Sequence, residues 1–147
     1  MKVYLGADHA GFDLKNRIRE HLAHNGYEVE DIGPHTLDPE DDYPKYSYLV
    51  STKVLGEDDS RGILVCGSGQ GICMAANRVR GIRAALVWSQ ELARETRRDN
   101  DSNVLCLASR FTNEETALAI VDNWLEEKFS GEERHNRRLD ELEELYG

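Results

Sequence analysis

The chain has 147 residues, with 28 acidic against 18 basic side chains and a formal net charge of −10. A domain of that length buries roughly two-thirds of the surface its unfolded form exposes, so its core needs no disulfide or metal staple. With 39% apolar and 31% charged residues it reads as a soluble globular protein; no apolar run approaches the roughly 20 residues of a membrane span, and the negative charge argues against a nucleic-acid surface.

The elements follow in a regular order. Lys2–Ala7 is predicted as a short apolar strand that ends in a turn at Asp8-His9-Ala10-Gly11. From Phe12 to His24, Leu14, Ile18 and Leu22 recur every four residues among charges, the spacing of an amphipathic helix. Asn25-Gly26 stops it, and Tyr27–Ile32 alternates apolar and acidic side chains like a strand with one wet face. Gly33–Asp42, with Pro34, Pro39 and four acids, is predicted as a loop whose Asp38–Asp42 stretch is solvated; it lacks the ordered ligand spacing of a metal site. Pro44 suits the first turn of a helix running to about Leu55. Gly62–Cys66 is a continuous apolar run, the mark of a strand covered on both faces, and leads into Gly67-Ser68-Gly69-Gln70-Gly71 and a small-residue helix, Ile72–Asn77. Arg83–Trp88 is a fourth strand, Glu91–Arg98 a charged helix and Asn103–Ala108 a fifth strand. Asn113–Phe129 presents Ala117, Ile120, Val121, Trp124 and Leu125 on one helical face; Gly131 breaks it, and Glu132–Leu145 reads as a final charged helix.

Five strands alternating with helices, with no repeat and no linker, predict one α/β domain over residues 1–147: a doubly wound, Rossmann-like five-stranded parallel sheet with helices on both faces. Ligands of such sheets sit outside the carboxyl ends of the strands, where the strand order switches. The turns to inspect are Asp8-His9, Cys66–Gly71 and the approach to Arg110.

Met1–Gly6 is too short and too soon polar for a signal peptide. Cys66, Cys73 and Cys106 are odd in number and form no C-x-x-C pair, which disfavours a disulfide framework or a tetrahedral zinc site and fits a reducing cytoplasm. Cys73 and Cys106 read as small buried hydrophobes. Cys66 ends a buried strand at a loop of three glycines, where backbone N–H groups converge beside a helix start, an anion site that would also stabilise a thiolate. The competing reading is a structural cysteine before a plain tight turn. Neither a nucleotide P-loop nor a dinucleotide fingerprint fits, because Gly71 is followed by Ile72-Cys73, and Ile72 also stands where a cysteine phosphatase needs arginine.

Arg134 and Arg138 lie four apart, on one helical face, and would grip one phosphate from two directions; the plainer reading is a solvated helix of alternating charge. Arg94, Arg97 and Arg98 read as such a solvated face. His9 is either a ring-opening acid or phosphate ligand, or a helix cap with Asp8.

Taken in order, Gly6–Gly11, Asp42-Tyr43-Pro44, Val65–Ile72, Ala75–Arg78, Gly81–Ala84, Asn100–Val104 and Arg134-His135 resemble the type B ribose-5-phosphate isomerases, a family that also holds allose-6-phosphate and galactose-6-phosphate isomerases. The resemblance covers almost the whole chain. It implies an aldose–ketose isomerisation of a phosphorylated sugar in the pentose phosphate pathway, with no metal and no other cofactor, no nucleic acid or membrane partner, and a homodimer or dimer of dimers with shared active sites. By position it implies that Cys66 is the base that moves the substrate proton, that Gly67, Ser68, Gly69, Gln70 and Gly71 form the enediolate's anion hole, that Ser68 passes a hydroxyl proton between the two oxygens, and that Asp8 and His9 contact substrate. Asn100 matches an enediol-binding amide, and Arg110, Arg134 and Arg138 match phosphate- and substrate-binding positions. The basic candidates are thus expected as a local cationic pocket near the glycine loop. One position departs: the ribose enzymes usually carry a ring-opening histidine just before Asn100, and here stands Asp99. Either Asp99 works protonated, or His9 supplies the proton, or the preferred substrate differs. A sugar-phosphate sensor without a reactive thiol and a thiol phosphatase or redox protein are the rival classes.

Overall fold

The computed structural model describes residues 1–147. Strands β1 (Lys2–Ala7), β2 (Glu28–Gly33), β3 (Ser60–Cys66), β4 (Ala84–Leu86) and β5 (Val104–Ala108) form one parallel sheet in the order β2-β1-β3-β5-β4. Helices α1 (Phe12–His24), α2 (Tyr43–Gly56), α3 (Gln70–Ala76), α4 (Gln90–Asn100) and α5 (Glu114–Glu126) cross between or follow the strands, and α6 (Glu133–Tyr146) closes the chain. The strand order reverses between β1 and β3, which places the crevice of a doubly wound sheet beside Asp8 and Cys66.

The three central strands read as apolar runs because both their faces are covered. Val3, Leu5, Ile63, Val65, Leu105 and Leu107 pack on one side against Leu14, Ile18 and Leu22 of α1 and Ile120, Val121 and Trp124 of α5. The alternate residues Tyr4, Leu64, Cys66 and Cys106 pack on the other side against Val50 and Val54 of α2 and Ile72 and Ala76 of α3. Period-two alternation therefore decides that Cys66 looks toward α2 and α3.

Three differences from the sequence reading have physical causes. Strand β4 is only Ala84–Leu86, not Arg83–Trp88: the Arg83 side chain is drawn to the Asp101 backbone oxygen (2.9 Å) and its N–H to Asn103 Oδ1 (2.7 Å). Helix α5 ends at Glu126, not Phe129, because the following segment turns to α4, where the Ser130 N–H donates to the Arg98 backbone oxygen at 3.0 Å. Helix α3 begins at Gln70, so the last two residues of the glycine stretch belong to its first turn.

Lys15, in a polar position of the α1 pattern, is fully buried. Its ammonium donates to both Asp31 oxygens (2.8 and 2.7 Å) and to the Pro34 backbone oxygen (2.6 Å), so every burial cost of the charge is met by a partner. This ties the start of the 34–42 loop to α1.

Candidate active site

The loop after β3 is built around Gly69, whose φ of +73° lies in the left-handed region and whose missing Cβ would stand 2.5 Å from Leu86 Cδ1. Three residues earlier β3 ends at Cys66, 4% exposed and paired in register with Ala108. The β5 side closes over it: the Ser109 N–H donates to the Cys66 oxygen (2.9 Å) and the Arg110 N–H to the Gly67 oxygen (3.0 Å). The N–H groups of Gly67, Ser68 and Gly69 donate to no other group of the chain. Three consecutive free donors beside a thiol make a concavity suited to a negative oxygen. The Arg110 guanidinium lies over it, with one terminal nitrogen 2.8 Å from where a Gly67 Cβ would be, and no carboxylate pairs with it. Ser68 is half-buried, its Oγ 3.3 Å from the Gln70 N–H.

Asp8 and His9 approach from the neighbouring strand end. Asp8 is buried, caps the turn through Oδ1 to the Gly11 N–H (3.1 Å) and is held to β3 by its own N–H on the Val65 oxygen (3.3 Å). His9 is part-exposed and doubly held: its backbone N–H and its Nδ1–H both donate to Asp41 Oδ1, at 2.8 and 2.9 Å. The hydrogen bond to Asp41 is the main cause that raises the His9 pKa, with Asp8 adding a further negative charge. Asp41 corrects the sequence reading: within the acidic loop predicted as solvated, its side chain is 5% exposed, and its Oδ2 is buried without a partner. Composition hid it; the signal available was only its place just before Asp42-Tyr43-Pro44.

The remaining candidates stand elsewhere. Asp99 and Asn100 end α4, which runs against the strands, and they precede β5, whereas Arg110 follows it. The five residues of β5 carry the chain about 17 Å, so Asp99 and Asn100 lie at the opposite end of the sheet from Cys66. Arg134 and Arg138 are on α6, whose His135 is buried against α4 with Nε2 3.8 Å from Asp99 Oδ1. On one chain Arg110 and His9 attend the glycine loop, and Arg134 and Arg138 lie with Asp99 and Asn100 toward the other end of the sheet. Arg134 pairs with Glu132 (3.1 Å), and Arg138 is exposed with no carboxylate partner.

Arg97 is a further correction. It is buried rather than solvated, and donates to Asp101 Oδ1 (2.8 Å) and the Ser102 oxygen (2.6 Å), which fixes the end of α4 that carries Asp99 and Asn100. At this end lies a cavity of about 540 Å³, between the last turns of α6, the segment before β4 and Asn100. The two groups of candidates thus stand toward opposite ends of the sheet. Cys106, on β5, is buried as expected, and burial pushes its thiol up, whereas Cys73 of α3 is only part-buried against the same layer.

Residues 3–142 match the family described as Ribose/Galactose Isomerase. The probable ribose-5-phosphate isomerase B of Mycoplasma genitalium is 45% identical over 95% of this chain and 92% of that protein. Ribose-5-phosphate isomerase B of Escherichia coli K12 is 41% identical, covering 96% and 93% of the two chains. The crystal structure of the Mycoplasma genitalium ribose-5-phosphate isomerase B with bound ribulose-5-phosphate superposes with a TM-score of 0.94 at 43% identity, over 98% of this chain and 95% of the other.

Proposed function

The chain belongs to the ribose/galactose isomerase family and is a sugar-phosphate isomerase, and from that premise we propose that it interconverts ribose 5-phosphate and ribulose 5-phosphate through an enediolate, with Cys66 as the base. The single observation that carries this reading is the thiol of Cys66 at the rim of three unpartnered N–H groups. The Cys66 thiolate takes the proton on carbon 2 of the open aldose. The charge that develops on the carbonyl oxygen is met by the N–H groups of Gly67, Ser68 and Gly69, each such donor being worth about 3 kcal/mol of barrier. Ser68 Oγ passes the hydroxyl proton between the two oxygens, and the thiol, whose proton exchanges with water while the enediolate lasts, protonates carbon 1. Gln70 and Gly71, in the first turn of α3, close the far side of the cradle, and Asp8 and His9 orient the sugar. Arg110 faces the phosphate end.

One chain offers no partner for the rest of such a substrate, so the reading includes a second copy. Asn100, Arg134 and Arg138 of the partner subunit would complete each site, Asn100 on the enediol and the two arginines on the phosphate, with Asp99 of the partner subunit beside them. A homodimer, or a dimer of dimers, supplies two such sites. The exposed Trp88, Phe111 and Met74, near the mouth of the glycine loop, support a covered face there. A cytoplasmic location fits three free thiols. No helix is long and apolar enough to cross a membrane.

Substrate choice is tested by assaying the purified protein on ribose 5-phosphate, allose 6-phosphate and galactose 6-phosphate side by side. The expected result is a kcat/KM for ribose 5-phosphate at least about tenfold above either hexose phosphate, the scale of one or two misplaced groups in a fitted pocket. A hexose phosphate preferred by that margin would replace the pentose assignment, and binding without turnover of any of them would favour a sensor.

A further inference from the structure

We propose that Asp41 is a positioning residue for the reaction and that the His9 it holds is the acid that opens the sugar ring, an assignment that rests on the isomerase reading. The geometry is specific. One oxygen of Asp41 receives both the backbone N–H and the Nδ1–H of His9, at 2.8 and 2.9 Å, from 32 residues along the chain. A carboxylate only accepts, so Nδ1 carries the hydrogen and the imidazole is set in one rotamer, with Nε2 as its free nitrogen. The His9 side chain is 37% exposed while that of Asp41 is 5% exposed, so the pair has a buried anchor and an accessible tip.

The second Asp41 oxygen is buried and receives no donor. Within the chain Asp41 therefore holds one side chain, that of His9. The charged groups facing His9 are Asp8, at the end of β1, and Asp41, from the loop before α2; both favour the imidazolium, the protonated form that can donate.

Asp99 has the contrasting setting. A carboxyl group serves as a proton donor near neutral pH where burial or a neighbouring anion favours the acid form. Asp99 is 36% exposed and its charged neighbour on α4 is Arg98, with Nε at 3.8 Å. His135 Nε2 stands 3.8 Å from Asp99 Oδ1, beyond hydrogen-bond distance, and lies 3.4 Å from the Arg134 Nε–H donor.

The step balances as follows. Nε2 of His9 gives its proton to the ring oxygen, and the electron pair of the bond between carbon 1 and that oxygen goes to the oxygen. The anomeric hydroxyl releases its proton to water as the carbon 1 carbonyl forms, and His9 is reprotonated from solvent. No redox change occurs.

The test uses the fact that ribulose 5-phosphate has no ring to open, since the hydroxyl that would close a five-membered ring on its carbonyl carries the phosphate. Conversion of ribose 5-phosphate therefore needs the ring-opening acid, whereas deuterium uptake at carbon 1 of ribulose 5-phosphate in D2O needs only the enediolate machinery. His9→Asn is expected to lower kcat for ribose 5-phosphate about 100-fold or more, as for loss of a general acid, and deuterium uptake, which loses only the sugar contact of His9, by a factor at least about tenfold smaller. Asp41→Asn is expected to move the alkaline limb of the ribose 5-phosphate profile to lower pH. The sign follows from the raised His9 value: the imidazolium is lost as pH rises through it, and removing the anion brings that loss to lower pH. Equal loss of both reactions in His9→Asn, an unmoved limb in Asp41→Asn, or a ring-selective loss confined to Asp99→Asn would overturn the assignment while leaving the isomerase reading intact. Wild-type protein that turns over neither sugar phosphate overturns both.

Discussion

Cys66→Ala is expected to lower ribose 5-phosphate turnover by about 10⁴-fold, the upper range for removal of a general base, and to lower deuterium uptake at carbon 1 of ribulose 5-phosphate by the same factor. Both reactions fall because both need the same carbon-bound proton to move. Affinity for the phosphorylated sugar should change by less than about threefold, since the N–H groups of the loop and Arg110 remain. This uncoupling of kcat from binding separates a base from a packing residue. The thiol is small and its neighbours Leu64, Ile72 and Cys106 are held by the rest of the α2–α3 layer, so alanine is expected to cost about 1 kcal/mol in urea unfolding. Steady-state kinetics, NMR exchange and calorimetric titration with ribulose 5-phosphate give the three readouts. Turnover within tenfold of wild type would remove Cys66 from the mechanism.

Mixing an inactive variant with one impaired in substrate binding is expected to restore activity, measured with substrate well below KM. Cys66→Ala disables one half-site and Arg138→Ala weakens the other, and the two substitutions sit at opposite ends of the same sheet. If each active site joins Cys66 from one protomer to Arg138 from its partner, a mixed dimer holds one site with neither defect and one with both. Random exchange of equal amounts makes half the dimers mixed, so recovery reaches about a quarter of wild-type activity under two-fold symmetry. Arg138→Ala alone should act chiefly on KM, raising it on the order of tenfold or more through loss of a charge-assisted phosphate contact. The parent mixtures, subunits exchanged by mild denaturation and refolding, serve as baselines. Recovery no greater than the mean of the two parents would mean that each chain carries its whole site.

The architecture was legible because β1, β3 and β5 are apolar on both faces and helices with four-residue periodicity lie between them. The glycine loop was legible for the same reason: a buried strand ending in Cys66 must turn sharply, and Gly69 does so with a positive φ. What stayed hidden depends on contacts between distant segments. Asp41 reads as one of a run of acids, and only the fold brings it to His9 across 32 residues. Arg97 and Lys15 read as surface charges until Asp101 and Asp31 are seen to meet them in the interior. The separation of Asn100 from Arg110 on one chain follows from element order alone: a residue just before a parallel strand lies at the opposite end of the sheet from one just after it.

The large negative charge takes on a more local meaning. It excludes a basic polyanion-binding face, yet Arg110 and Arg138 stand without carboxylate partners in a chain of net charge −10.

Proton transfer through an enediolate is tested most directly by converting ribose 5-phosphate in D2O with the wild-type protein and reading carbon 1 of the product by NMR. The mechanism predicts ribulose 5-phosphate with solvent deuterium at carbon 1, introduced at a rate comparable to turnover and lost with Cys66→Ala. Product that forms at the full rate with no solvent hydrogen at carbon 1, in wild type and Cys66→Ala alike, would contradict it.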